Sequence, residues 1–439
     1  MSLRGLAEEL KTGVLSPREA VQATLDRIER LDGKLNAYIS VRAEEALAEA
    51  ESPPRGPLYG VPVAVKDVID VAGARTTAAS RILADNVAVR DATVVARLRA
   101  AGAIVVGKLN THEFAFGAMT TSPHFGPAHN PWALDRICGG SSGGSGAATA
   151  AGLAAGTLGT DTAGSIRIPA SFCGVTGLRP SSGLVPNDGV VPVSWTFDAV
   201  GPIARSAEDC ALLLDAIADT RSVVEGGVEG LRVGVVEALL DLADPRVADT
   251  VRAGVSTLVE LGATAGPVEV PLLAEAGTIK QLVMLPEASN AHLEWLRTRL
   301  ADYGADVRAR LLAGLFLPAT AYVTGQRARR VYCESVSRLF ERFDVLVAPA
   351  MPVVAPRIGE QEGELGGERV AFRLSVIPFN SPWSLAGLPV LSIPCGFVAG
   401  LPVGLALVGG RHADETVLRV GHAFQRATDW HDRRPPEPV

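Results

Sequence analysis

Between Gly139 and Pro169 the chain reads GGSSGGSGAATAAGLAAGTLGTDTAGSIRIP, thirty-one residues with hardly a bulky side chain among them. Such density of small residues is tolerated only where backbone packs on backbone or closes round a ligand. Glycine supplies the φ > 0 conformations and the close approach that both require. A flexible linker would share the opening GGSSGGSG, but a linker is not followed at once by a long alanine-rich segment suited to close packing. A serine set in such a turn can be presented to a substrate while successive backbone N–H groups face the same point. Acyl-transfer chemistry needs that combination of nucleophile and oxyanion donors.

The rest of the chain has the material to bury such a segment. Of its 439 residues 47% are hydrophobic and 20% charged, enough for a large core. A formal net charge of −7 excludes a general nucleic-acid or anionic-membrane binder. The five cysteines (Cys138, Cys173, Cys210, Cys333, Cys395) are widely spaced with no CxxC pair, which fits a reducing compartment and neither a disulfide framework nor a structural zinc. The opening MSLRGLAEELKTG has no apolar signal region, and Ala147–Gly159 is too short and too small-sided to span a bilayer. A cytoplasmic location is expected.

Ser16-Pro17-Arg18-Glu19 forms a capping box with proline at the first helical position, opening a helix that places Ala20, Val21, Leu25 and Ile28 on one face. Val61–Val65 reads as a buried strand ending at Lys66. Asp91–Ala101 reads as a helix closed by Gly102, and Ala103–Val106 as the next strand, giving a β-α-β unit. Residues 207–342 are mostly helical in pattern around a strand at Leu231–Val236. Further strands are expected at Phe343–Ala348, Val390–Ile393 and Val403–Val408, a surface loop at Val354–Arg369, and a closing helix at Asp414–Ala427. Without repeats or long polar linkers, this alternation implies one α/β domain over 1–439. It is an α/β/α sandwich with a large mixed β-sheet enclosed by helices, its core motifs in 55–205, a helical middle in 206–342 and C-terminal strands and a helix in 343–439.

GGSSGGSG followed by GTDTAGSIRIPASFCGVTGLRPS, with YGVPVAVKDVIDVAG upstream, resembles the amidase signature family of serine hydrolases. So do SPREAVQATLDRIERLDGKLNAYI near the start and PFNSPWSLAGLPVLSIPCG, LPVGLALVGG and WHDRRP near the end. The resemblance implies a Ser–cis-Ser–Lys triad of Ser165 as nucleophile, Ser141 as bridge and Lys66 as base, with a cis peptide at the bridge. It further implies an oxyanion hole of the Thr162, Ala163, Gly164 and Ser165 N–H groups, although many members carry Gly where this chain has Ala163. Asp161 and Arg167 would hold the nucleophile turn in place. The triad hydrolyses amides through an acyl-enzyme and requires no metal or organic cofactor. Phe114, Phe116 and Met119, in the loop between His112 and His124, are candidates for lining a substrate pocket, with core packing an equal alternative for each.

Three other readings compete. Gly139–Gly144 matches G-x-S-x-G centred on Ser141 and on Ser142, and His412, His422 and His431 lie downstream as a Ser-His-Asp hydrolase would need; yet PAHNPWALDRICGG before it reads as loop, where an elbow needs a strand. A phosphate-binding loop lacks the lysine of GxxxxGK[ST]. The third keeps the chemistry: the N-terminal half, with SPHFGPAHNPW, resembles the glutamine-hydrolysing subunit of the tRNA-dependent amidotransferase. That branch typically has an acidic residue ahead of the SPWSLAG segment, whereas this chain has Val376-Ile377-Pro378-Phe379-Asn380. An apolar entrance there implies a neutral aliphatic or aryl amide, or a carbamate, with esters as side substrates. A small molecule is the expected partner, with no nucleic acid and no membrane, and an exposed helical edge would support a homodimer.

Overall fold

Ser16 starts helix α1 (Pro17–Leu35) as the capping box dictates: its hydroxyl accepts from the Glu19 N–H, and the Glu19 carboxylate accepts from the Ser16 N–H. Asn36, in the left-handed conformation, ends it. The computed structural model describes residues 2–437. Across them runs an 11-stranded mixed sheet. Its strands in chain order are β1 (Tyr38–Val41), β2 (Pro62–Lys66), β3 (Ile104–Leu109), β4 (Gly156–Asp161), β5 (Thr176–Arg179), β6 (Ala199–Ala204), β7 (Arg232–Val235), β8 (Thr264–Pro267), β9 (Val345–Pro349), β10 (Val390–Val398) and β11 (Leu401–Gly409). Their spatial order is β1-β3-β2-β4-β6-β5-β10-β11-β9-β7-β8.

Register within this sheet positions the site. Strand β2 runs parallel to β3 on one side and to β4 on the other, Val65 lying opposite Leu158, so Lys66 at the end of β2 comes level with the last residues of β4. Strand β6 runs antiparallel to β4 with Ala199 opposite Asp161, which brings the residue before it, Asp198, alongside Thr162. Helices α2 (Gly143–Ala151) and α3 (Arg167–Cys173) follow the two small-residue loops, and every residue of both is buried. A Cβ on Gly144 would stand 2.5 Å from the Asn110 backbone and from the Ala37 carbonyl oxygen, so α2 fits its slot only because the position is glycine.

Beyond this frame, helix α4 (Ala276–Ala291) packs against α5 (Ala305–Leu315) and α6 (Phe372–Ala386) beside the turn that follows β4, and α7 (Asp414–Ala427) packs against the sheet. Two expectations need correction. Within Val354–Arg369, read as loop, Glu362–Leu365 begins an antiparallel hairpin with Glu368–Ala371, turned by Gly366 and Gly367, both at positive φ. Its alternation of charged and small residues carries no hydrophobic period, so the Gly-Gly turn was its only signal. Within PAHNPWALDRICGG, His129–Asn130 and Ala133–Ile137 form a short ribbon, separate from the main sheet. The edge strand β8 is largely exposed and likewise escaped a reading based on hydrophobic periodicity.

Candidate active site

Lys66 is delivered by a strand buried along its whole length, and its side chain is itself fully buried. Nζ lies 2.6 Å from Ser141 Oγ and 2.8 Å from Thr160 Oγ1. Burial lowers its pKa to about 7 against the partial opposition of the Asp161 and Asp198 charges, so the amine is available in its neutral form near neutrality. The Gly140–Ser141 peptide is cis. The Ser141 carbonyl accepts the His112 N–H and the Thr120 hydroxyl, each at 3.1 Å, which ties the bridge to the 112–120 loop.

Ser165 sits just before α3, 7% exposed, where the turn from β4 reverses. Its carbonyl accepts the Ser142 N–H at 3.1 Å, so the two serine loops are joined through the main chain. No hydrogen bond links Ser141 Oγ to Ser165 Oγ; the geometry couples Lys66 to Ser141 and leaves the Ser165 hydroxyl open toward a cleft. The turn itself is built on Asp161. Its carboxylate takes both Nε and Nη2 of Arg167 at 2.9 Å, the Gly164 N–H at 2.8 Å and the Ile166 N–H at 3.1 Å. Burial alone would raise the Asp161 pKa, but Arg167 and Arg179 hold it well below the carboxylate range. Gly164, expected as an oxyanion donor, thus spends its N–H on Asp161. The Thr162, Ala163 and Ser165 amides meet no protein acceptor among the described residues. Gly164 has φ +112°, reachable by glycine and not by the alanine that stands at 163. Thr162 is steadied by its hydroxyl, which donates to Asp198 at 2.5 Å.

Ser165 opens into a cleft of about 70 Å³. Gly140, Thr162, Ala163 and Ile168 form its floor, and Phe116, Val193, Met284, Val376 and Ile377 its apolar walls. Two guanidinium groups, Arg310 and Arg373, also line it. Arg310 stacks 4.2 Å above the Phe116 ring and donates to Asp306 at 2.6 Å, while Arg373 has no ion pair among the described residues. The entrance expected to be purely apolar therefore carries positive charge, supplied by helices α5 and α6, whose side-chain facing no local motif revealed.

Of the three candidate lining residues only Phe116 reaches this cleft. Phe114 is wholly buried in an aromatic cluster, 4.4 Å from the His292 ring and 5.6 Å from those of Trp295 and Tyr303. Met119 faces a neighbouring hollow with Asp306 and Val307. Sequence reasoning missed Thr160, Asp198, Arg310 and Arg373, each brought in by sheet register or helix packing. His412, His422 and His431 form no hydrogen bond with Ser141 or Ser142 among the described residues.

A mixed sheet enclosed by helices, with a buried lysine, a cis-linked serine and a second serine on a glycine turn, defines an amidohydrolase class. Residues 19–418 match the Amidase family, and the chain belongs to it. It is 40% identical to a glutamyl-tRNA(Gln) amidotransferase subunit of Moorella thermoacetica, the match covering 98% of this chain and 97% of that protein. Among solved structures it superposes with a TM-score of 0.92 on a protein from a vestigial complex bearing on the origins of an s-triazine catabolic enzyme, at 36% identity over 97% of this chain and 98% of the other. The peptide amidase of Stenotrophomonas maltophilia superposes with a TM-score of 0.86 at 29% identity, covering 100% of this chain and 99% of that one. Among the described residues no helix is long and apolar enough to cross a membrane.

Proposed function

We propose that this chain hydrolyses a small linear amide or carbamate through an acyl-enzyme on Ser165, and that the acyl portion of the substrate carries an anionic group. The single observation that carries the chemistry is the buried pair of Lys66 and Ser141 at 2.6 Å, with the lysine pKa lowered to about 7. A neutral amine accepts the Ser141 proton, Ser141 Oγ accepts the Ser165 proton, and Ser165 Oγ forms the bond to the substrate carbonyl carbon. The link between the two serines tightens when substrate fills the cleft. The oxyanion is taken by the Ala163 and Ser165 amides with Thr162 beside them, where loss of one donor costs about 3 kcal/mol. The relay then returns a proton to the leaving nitrogen as the C–N bond breaks, and water releases the acid and frees Ser165.

The lining supports the substrate class. Arg310 and Arg373 offer charge-assisted bonds to a carboxylate, and no Asp or Glu lines the cleft among the described residues. A second reading, hydrolysis of glutamine on behalf of an amidotransferase, is favoured by the 40% identity to one of that enzyme's subunits. Glutamine brings an ammonium group as well as a carboxylate, and this cleft offers the ammonium no carboxylate among the described residues. Turnover of glutaramate, glutamine and butyramide by the purified chain decides between the readings. Glutaramate hydrolysed fastest, with a fluorophosphonate adduct on Ser165, is the expected result. Preference for glutamine, or activity only with an added partner, overturns this substrate assignment, and an adduct on Ser141 or Ser142 overturns the nucleophile.

A further inference from the structure

Helix α2 carries Ser141 and Ser142 at one end; at its other end, beneath segment 434–437, lies a second cavity of about 500 Å³. Its charged lining is Arg27, Arg205, Arg434 and Glu437, a positive concentration in a chain of formal net charge −7. Arg27 donates from Nε to the Ala151 carbonyl at 2.7 Å and from Nη1 to Glu437 at 3.0 Å. Arg205, 5% exposed, donates only to main-chain carbonyls, those of Ala150 at 3.5 Å, His431 at 3.0 Å and Arg433 at 2.6 Å. Its Nε has no acceptor, and it pairs with no carboxylate among the described residues. Arg434, an exposed residue, has neither a hydrogen bond nor an ion pair among the described residues, and partial desolvation, then the nearby Arg27 charge, push its pKa down.

Guanidinium groups remain charged when desolvated, so the buried Arg205 calls for a counter-ion, and the more exposed Arg27 and Arg434 add their charge beside it. The carbonyls at the end of α2 and in the C-terminal segment satisfy Arg205 as a donor but bring only partial charges. The cavity already shows what it accepts: the Glu437 carboxylate bridges Arg27 at 3.0 Å and Arg30 at 3.2 Å. Among the described residues that line the cavity, that one carboxylate stands against Arg27, Arg205 and Arg434. The remaining charge, on forked donors, matches a multiply charged group with several oxygens.

We propose that this cavity is a binding site for a small polyvalent oxyanion, a phosphate ester or a polycarboxylate, held by Arg434, Arg205 and Arg27 and separate from the catalytic cleft. The ligand competes with Glu437 for Arg27. Occupancy joins the C-terminal segment to α1 and α2, and it stabilises the folded chain by mass action.

Calorimetric titration of the full chain with pyrophosphate and with citrate, at ionic strength held constant with chloride, tests the site. Saturable binding of at least one anion is expected, weakened about tenfold or more in Arg434→Gln. Glu437→Gln should tighten it by removing the competing carboxylate. Circular dichroism melting identifies any variant that fails to fold, in which case Arg27→Gln replaces it. Tighter binding of pyrophosphate assigns a phosphate ester, tighter binding of citrate a polycarboxylate. No saturable binding of either up to about 10 mM, or affinity unchanged in both arginine variants, overturns the proposal.

Discussion

Lys66 Nζ lies 2.6 Å from Ser141 Oγ, and both side chains are shut away from solvent. Neither group could hold this geometry as an isolated pair: the lysine arrives on a central strand, the serine on a cis-linked glycine loop. Desolvation favours the unprotonated amine, leaving about half of it neutral at pH 7.

The pH dependence follows from that pKa. In the proposed mechanism the neutral amine is the active form, so kcat/KM should rise with pH through a midpoint of about 7 and then level off. Stability should also rise over pH 7 to about 10, because there the unfolded chain, with a lysine pKa near 10.4, binds one more proton than the folded chain. Below about pH 7 both states hold the proton and the slope vanishes. Lys66→Met should abolish the rate and flatten the stability slope, as read by urea unfolding at several pH values.

Ser165→Ala should lower kcat by a factor on the order of 10³ or more with an unchanged melting temperature. Ser141→Ala should cost about 10²–10⁴ in kcat with KM little changed, since it touches the proton path and not the cleft walls. Steady-state kinetics beside circular dichroism separates these losses from unfolding.

Asp161→Asn should destabilise the fold by about 3–5 kcal/mol, because Arg167 and Arg179 would remain buried without a counter-charge. The native contribution is present above the unfolded carboxylate pKa of about 3.9 and persists to far lower pH, given the strongly depressed folded value. Chemical denaturation at pH 7 measures the loss.

Gly144→Ala should cost about 1–3 kcal/mol and reduce activity, since the added methyl meets backbone atoms of Asn110 and Ala37 that have no rotamer to retreat into. Displacement of α2 would shift Ser141 with it. A melting curve and kcat together report the effect.

Arg373→Gln should raise KM for glutaramate about tenfold and leave butyramide unchanged, because only the charged substrate loses a partner. Equal losses with both amides would mark Arg373 as structural.

The small-residue segment, the strand before Lys66 and the capped helix at Ser16 were legible because each depends on neighbours in the chain. Dense Gly and Ala, an apolar run and a Ser-Pro-x-Glu box are local statements about backbone approach, burial and capping. Asp161 and Arg167 were legible as braces for the same reason, being six residues apart on one turn. The hairpin at 362–371 was missed because its charged alternation buries little, and the choice between core and cleft for Phe114 stayed open because an aromatic residue serves both equally well.

What the chain determined by itself was therefore the local parts: a serine on a glycine turn, a second serine loop and a lysine at a strand end. Tertiary structure decided which groups meet. Parallel register set Lys66 beside Thr160, antiparallel register set Asp198 beside Thr162, and helix packing brought Arg310 and Arg373 to the mouth of the cleft. Those contacts join residues tens to hundreds of positions apart. Their distances depend on strand pairing and helix packing, which no local run of residues records.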